Sequence, residues 1–372
     1  MKKIEQNISL FNTYINLSAF KKVRSVLDST FLSEGAMVKK FENQLSQKLG
    51  LLNPVTVNSG TSALHLALIL AGIRPGDEVI LPSQTFVATG LAVLYVGAKP
   101  VFADIQYETG NIDPRDIEKK ITRKTKAILP VHWNGYPCDM DEIKRITKKY
   151  DLVVIEDAAR ALGSTYKNRP IGSISDITCF SFQAIKHLTT GDGGAVCFKS
   201  KMTAGEARVM RWFGIDRAKS KPSILGERDF KISKLGYKYH LNDYEAALGL
   251  ANLEGFKKRL ARRQQIANFY KKNLTKIGGI TLFEEKPDRK SAYFLFGFHV
   301  EKRLDFIQAM KSRGVPVTVD TLGIARHPIF SKFRASLPNN SHFNKTQINI
   351  PCHDGLSRKG FEHIVESIKK GW

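Results

Sequence analysis

Between Pro54 and Ile155 short apolar runs alternate with helical stretches, and this alternation restricts the chain more than any other feature. Strands are expected at Pro54–Asn58, Glu78–Leu81, Pro100–Ala103, Lys126–Val131 and Leu152–Ile155. Helices are expected at Leu64–Ala71, near Phe86–Val96, after the Asp113-Pro114 cap, and at Met140–Tyr150. Aspartate at an N-cap supplies an acceptor for the first free N–H groups, and proline fits the next position because its missing donor is not needed there. The pattern predicts an α/β fold with a mostly parallel central sheet, right-handed crossovers and flanking helices. Amphipathic helices over residues 18–29 and Val38–Leu49 precede it.

From about Gly236 the pattern changes. A helix capped by Asn242-Asp243 runs to Leu253, and a long one spans Phe256–Leu274. A strand (Tyr293–Val300), a helix (Leu304–Arg313), a strand (Val315–Val319) and a last helix (Arg358–Lys369) follow. We read residues 1–240 as a large domain and 241–372 as a smaller α+β C-terminal domain, with the N-terminal helix packing on the small one. No Pro/Gly linker marks the boundary.

In open α/β sheets ligands gather at the carboxyl ends of strands. Three chemistry-bearing segments fall at such ends: Ser59–Ser62, Glu156-Asp157 and Gln183–Lys186. The third lies in Cys179–Cys197 (CFSFQAIKHLTTGDGGAVC), where the apolar run Ile177–Phe182 ends and Lys186 follows. Desolvating an ammonium is costly, so a lysine kept at the mouth of a buried strand is neutral, paired or covalently engaged. Ser59-Gly60-Thr61-Ser62 combines backbone donors, hydroxyls and a helix N-terminus, which together form a phosphate cradle. Neither GxxxxGK[ST] nor GxGxxG is present there. Asp157, at the end of an apolar strand, suits a protonated ring nitrogen. Each piece has a plainer reading: a capped helix start, a turn-capping aspartate, a surface lysine in a loop. Together they meet what pyridoxal 5′-phosphate requires: donors for its phosphate, an anion for its ring nitrogen and an amine for its aldehyde.

Composition removes other classes. The 372 residues, 42% hydrophobic, suffice for one large core and a second smaller one. Net charge is +23, from 58 basic and 35 acidic residues. The lysine doublets, such as Lys119-Lys120 and Lys271-Lys272, lie on polar faces of expected helices without interleaved aromatics, so no nucleic-acid partner is expected. The longest apolar stretch, Ala63–Ala71, is too short to span a bilayer, and Met1–Asn7 holds no apolar leader. Cys138, Cys179, Cys197 and Cys352 form no CxxC pair, so neither a metal nor a disulfide framework is expected, and a reducing cytoplasm fits.

The chain resembles the DegT/DnrJ/EryC1/StrS sugar aminotransferases, pyridoxal-phosphate enzymes of fold type I. The likeness rests on Ser59–Leu68 (SGTSALHLAL), Ile80–Ala88 (ILPSQTFVA), Pro130–Asp141 (PVHWNGYPCDMD), Val154–Gly163 (VIEDAARALG), Phe180–Val196 and Gly236–Leu250 (GYKYHLNDYEAALGL). Ile350–Ser357 (IPCHDGLS) is a fainter echo. The resemblance implies that Lys186 bonds to the cofactor and that Asp157 binds its ring nitrogen. It places Gly60, Thr61, Ser62 and Ser181 at the phosphate, with Phe86 stacked on the ring. It also implies a homodimer with shared active sites, into which the loop bearing Lys238 and His240 reaches from the neighbouring subunit. Three positions depart from the family. Arg160 stands near the ring hydroxyl where Gln or His is usual, Lys238 replaces an asparagine, and His187 follows the lysine where Asn is common.

The expected activity is therefore transfer of an amino group from L-glutamate to a keto-sugar by a ping-pong mechanism. A nucleotide-linked 4-keto-6-deoxyhexose is the leading acceptor, with His240, Arg326 and His327 as candidate substrate contacts. Alternatives are a non-nucleotide ketose, a keto-cyclitol or a keto acid sugar as acceptor, or a non-catalytic cofactor-binding regulator. Family members that act as dehydratases carry histidine at the lysine position, and Lys186 favours transamination here.

Overall fold

The computed structural model describes residues 8–217, 219–230 and 232–372. Met1–Asn7, on which the expectation of no leader rests, lies outside them. Helices α1 (Ser18–Asp28) and α2 (Ala36–Leu49) lead into an alternating series. The series is β1 (Val55–Val57), α3 (Gly60–Leu70), β2 (Glu78–Pro82), α4 (Val87–Tyr95), β3 (Lys99–Ala103), α5 (Pro114–Lys120), β4 (Thr125–Ile128), α6 (Met140–Tyr150) and β5 (Val153–Asp157). Strands β6 (Ile177–Ser181) and β7 (Gly194–Phe198) complete a seven-stranded sheet in the order β1-β7-β6-β5-β4-β2-β3.

The sheet is mostly parallel, as expected, with β7 antiparallel to both its neighbours. The connection from β6 to β7 contains no α-helix, so the chain cannot cross over and returns antiparallel. Strands β1, β5 and β6 still point the same way, and their carboxyl ends open on one side of the sheet. Helices cover both faces. Val79 and Leu81 pack into the layer with α3 and α4, whereas Ile80 packs into the layer with α2 and α6. That alternation is the period-2 geometry of a strand buried on both sides.

Local signals start the helices. The Asp113 side chain accepts from the Arg115 N–H ahead of Pro114, and Asn242 with Glu245 forms a reciprocal capping box on α8 (Asp243–Leu253). Helix α8 lies against α1 and α2, and its Ala246, Leu250 and Leu253 join the core of the large sheet. Beyond α7 (Lys201–Met210) and α8, the long α9 (Phe256–Leu274) packs over a three-stranded antiparallel sheet. That sheet comprises β8 (Ile280–Leu282), β9 (Phe296–Val300) and β10 (Gln347–Ile350), with β9 in the centre. It shares a core with α10 (Arg303–Ser312) and α12 (Arg358–Lys369), built on Tyr270, Phe298, Phe306 and Ile364. Helix α11 (Pro338–Thr346) leads into β10.

Two expected strands differ. The run from Tyr293 pairs only from Phe296 onward, because the N–H groups of Ala292 and Phe294 donate to Gly135 and Asn134 carbonyls instead. Val315–Val319 makes a single bridge, Thr318 to Asn349. Pro316 lacks a ladder donor, and Asp320 at φ +60° turns the chain back toward the large sheet. Among the described residues no helix is long and apolar enough to cross a membrane, and all four cysteines are buried and unpaired.

Candidate active site

A cavity of about 490 Å³ opens at the carboxyl ends of β1, β5 and β6. Its first wall is the start of α3. The Ser59 side chain accepts from the Ser62 N–H at 3.0 Å and caps the helix, so the remaining free N–H groups of the first turn face outward at its positive end. Gly60 and Thr61 line the cavity with Ser181 from the end of β6. A Cβ on Gly60 would stand 2.8 Å from the Ser181 Cβ, so this close approach needs glycine. Ser62 does not line the cavity. Its hydroxyl donates inward to Asn58 Oδ1 at 2.7 Å and also meets Ser59 Oγ at 2.9 Å.

Asp157 ends β5, and its carboxylate is held by two donors. Thr89 Oγ1 donates to Oδ2 at 2.7 Å, and the Ala159 N–H donates to Oδ1 at 3.1 Å. Thr85 Oγ1 lies 2.7 Å from Thr89 Oγ1 and extends the chain of hydroxyls. The preceding residue, Glu156, points to the other face of the strand. There it meets His132 Nε2 at 2.7 Å and accepts from Thr178 Oγ1 at 3.0 Å, fully buried. His132 Nδ1 accepts from the Cys138 N–H, so its proton sits on Nε2 and points at Glu156. Burial pushes Glu156 up, but the His132 and Thr178 hydrogen bonds outweigh it and hold the carboxyl below its ordinary range.

Lys186 projects into the same cavity from the turn after β6. Its Nζ lies 4.8 Å from the centre of the Phe294 ring. Burial, followed by the charge of Arg160, lowers it to about 7, against the raising influence of Asp157 and Asp320. A lysine lowered this far keeps an unprotonated, nucleophilic fraction at neutral pH. His187 turns away, with Nε2 3.0 Å from the Ala292 carbonyl, and burial drives it well below its ordinary value. The loop returns through Gly193 at φ +149°, where a Cβ would collide with Thr190 Oγ1.

Arg160 is not a free charge. Its guanidinium pairs with Asp320 and lies over the rings of Phe294 and Trp133, at 4.8 and 5.2 Å from their centres. Phe86, at the N-cap of α4, lines the cavity while remaining 58% exposed. Four other expected residues stand outside this cavity. The Lys238 carbonyl accepts from Asn58 Nδ2 at 3.3 Å. The His240 ring packs 4.0 Å from Trp212, and burial, then the charges of Lys238 and Arg211, lowers it to about 4. Arg326 and His327 sit on a short turn over α4, anchored where the Ile324 N–H donates to the Ser83 carbonyl at 2.8 Å. Cavity residues that the sequence reading passed over include Phe11, Thr89, Trp133, Asp192 and Asp320. Of these Trp133 and Asp192 lie inside motif stretches and Thr89 follows directly on one.

A larger hollow, about 1100 Å³, lies between α7 and the loop after it, but its Lys219 and Lys234 are paired with Asp216 and Glu206. Among the described residues no group of three or more His, Cys, Asp or Glu could hold a metal ion. The 490 Å³ cavity thus joins a helix N-terminus, a doubly held carboxylate and a lysine of lowered proton affinity. Those parts fit pyridoxal 5′-phosphate: donors for its phosphate, an anion for its ring nitrogen and an amine for its aldehyde.

Comparison with known proteins agrees. The sequence matches the model of the DegT/DnrJ/EryC1/StrS aminotransferase family over residues 14–369. It is 34% identical to GDP-perosamine synthase of Escherichia coli O157:H7, covering 94% of both chains. It is 32% identical to the UDP-4-amino-4,6-dideoxy-N-acetyl-beta-L-altrosamine transaminase of Campylobacter jejuni subsp. jejuni strain 81-176, covering 96% of this chain and 97% of that one. The crystal structure of the sugar aminotransferase CalS13 from Micromonospora echinospora superposes with a TM-score of 0.93 at 34% identity, covering 98% of this chain and all of that one.

Proposed function

The chain belongs to the DegT/DnrJ/EryC1/StrS aminotransferase family, and we propose that it moves an amino group from L-glutamate to a nucleotide-linked keto-sugar, a 4-keto-6-deoxyhexose first among them. It is a pyridoxal 5′-phosphate-dependent enzyme of fold type I. When bound, that cofactor supplies an aldehyde that takes up an amino group and a ring that accepts electrons. The observation that carries the reading is the Lys186 amine in one cavity with Asp157 and the start of α3.

Each residue then has a task. The α3 N-terminus, with Gly60, Thr61 and Ser181, binds the phosphate. The Asp157 carboxylate, fixed by Thr89 and Ala159, would accept a hydrogen bond from the ring nitrogen and keep it protonated. Phe86 would cover the ring, and Arg160 would stand toward its hydroxyl. Lys186 Nζ would hold the cofactor through its aldehyde at rest and, once displaced, would carry the proton from the carbon that gives up the amino group to the carbon that receives it in each half-reaction. Glutamate reacts first and leaves as its keto acid, and the keto-sugar follows.

The active form is a homodimer in this reading. Exposed Phe213, Phe230 and Leu235 flank the loop that carries Lys238 and His240, and burial against a second copy would cover them. Lys238 of the partner subunit would then serve the phosphate, and His240 the acceptor. Exposed Arg326 and neighbouring His327 are candidates for the sugar's diphosphate. The division into units 1–240 and 241–372 belongs to the same proposal, with α8 as the join.

The test is the visible spectrum of the purified protein with L-glutamate, beside Lys186→Ala, followed by GDP- and UDP-linked 4-keto-6-deoxyhexoses. Bleaching of the cofactor band by glutamate and its recovery on adding one keto-sugar are expected. A protein that stays colourless with added cofactor would refute the reading.

A further inference from the structure

The Arg160–Asp320 pair is assembled from distant parts of the chain. Arg160 follows the Asp157 strand directly, whereas Asp320 arrives 160 residues later on the segment that leaves the small sheet. Both side chains are 11% exposed. The guanidinium lies against Trp133 and Phe294, and Lys186 Nζ lies against that same Phe294 ring. Trp133 and Phe294 are themselves tied together, since the Phe294 N–H donates to the Asn134 carbonyl at 2.9 Å. Asp320 adopts φ +60°, a conformation that needs local support in a residue other than glycine. The support comes from its N–H bond to Thr318 Oγ1 at 2.8 Å and from the backbone bonds of Thr318 to Asn349.

We propose that Arg160 and Asp320 act as one positioning unit for Lys186, in which the guanidinium is a fixed cation on the Phe294 ring that the amine also touches, and Asp320 both offsets its charge and pins it there. The proposal rests on the reading above in placing Lys186 at the centre of the chemistry. The groups facing Lys186 are Asp157 from β5, Arg160 from the turn after it, Asp320 from the C-terminal segment and the Phe294 ring. Asp192 and His132 line the same cavity, and His187 is engaged with a backbone carbonyl. Arg160 lowers the lysine and Asp320 raises it. The two members therefore act on the amine with opposite signs. Removing both restores the balance. A pair that served only to hold the fold would move the lysine the same way when either member was lost.

The experiment follows Lys186 in the full chain by trace acetic-anhydride labelling and peptide mass spectrometry from pH 5 to 10, with and without pyridoxal 5′-phosphate. In Arg160→Gln the cofactor-free labelling midpoint rises by about one pH unit, so labelling at pH 7 falls about fivefold. In Asp320→Asn the midpoint falls, and in the double variant it returns near the original. Asp320→Glu keeps the charge and keeps the midpoint, which preserves the test if Asp320→Asn does not fold. Arg160→Gln and Asp320→Asn midpoints that shift together, or not at all, overturn the proposal, as does a shifted midpoint in Asp320→Glu. Protection of Lys186 by the cofactor reports on the earlier reading separately. Protection without opposed shifts refutes the pair alone, and opposed shifts without protection support the pair and refute the cofactor reading.

Discussion

Lys186→Met should make the cofactor-free protein more stable, and by an amount that depends on pH. An ordinary lysine titrates at 10.5, and Lys186 in the folded chain at about 7. The folded state disfavours the ammonium by the difference, about 3.5 pH units at about 1.36 kcal/mol each, or ~5 kcal/mol as an upper bound for a partly buried side chain. The sign follows from proton binding. Between pH 7 and 10.5 the unfolded chain binds more protons at this residue, so the wild type gains stability as pH rises through that window. Below pH 7 the penalty is present in full, because both states carry the charge. Methionine has similar length and no charge, so the variant lacks the penalty throughout. Urea unfolding of both proteins at fixed concentration and several pH values between 6 and 10.5 measures the difference. The variant should lead by several kcal/mol at pH 6, and the lead should shrink toward a small constant at pH 10.5. Titrating groups that do not face Lys186 cancel in the comparison. A lead that does not change with pH would reflect only added apolar contact and would refute a depressed lysine.

Three further outcomes are expected. Thr89→Val removes the hydroxyl that donates to Asp157 Oδ2; it should lower kcat/KM by about tenfold, the worth of one charge-assisted hydrogen bond of about 1.5 kcal/mol, and should also lower the melting temperature of the cofactor-free protein, where the same buried bond is already made. Gly60→Ala places a methyl 2.8 Å from the Ser181 Cβ and should weaken cofactor affinity by roughly tenfold or more, read by fluorescence titration, since both backbones are fixed in regular elements. His132→Ala strips Glu156 of its buried partner and should cost about 3 kcal/mol in urea unfolding at pH 7. Glu156 is lowered in the fold, so its paired charge stabilises above the ordinary carboxylate range and is lost as pH falls through its folded value. The His132→Ala deficit should accordingly narrow in acid, and a deficit constant with pH would contradict the role of the pair.

The strand–helix alternation, the capped starts of α5 and α8 and the apolar run into Lys186 were all legible in the sequence. These are local facts. A capping side chain acts within one turn, and apolar periodicity reports which face of an element is buried whatever it packs against. The three cavity walls at Gly60, Asp157 and Lys186 were legible for a related reason, since strand ends in a parallel sheet converge on one side once the connections cross over. Ser62 was legible as a hydroxyl at a helix start but not as one turned inward, because its bond to Asn58 depends on how β1 enters α3.

What the sequence by itself determined, then, is the α/β class, the family and the side of the sheet where chemistry gathers. Only the tertiary structure decided that Arg160 is paired with Asp320, that Phe294 backs both Arg160 and Lys186, and that Lys238, His240, Arg326 and His327 stand apart from the cavity of their own chain. The reason is physical. An ion pair between residues 160 positions apart, formed where a non-glycine backbone turns at φ +60°, leaves no periodic trace. The lysine's proton affinity is likewise set by burial and by the charges that the folded chain brings around it.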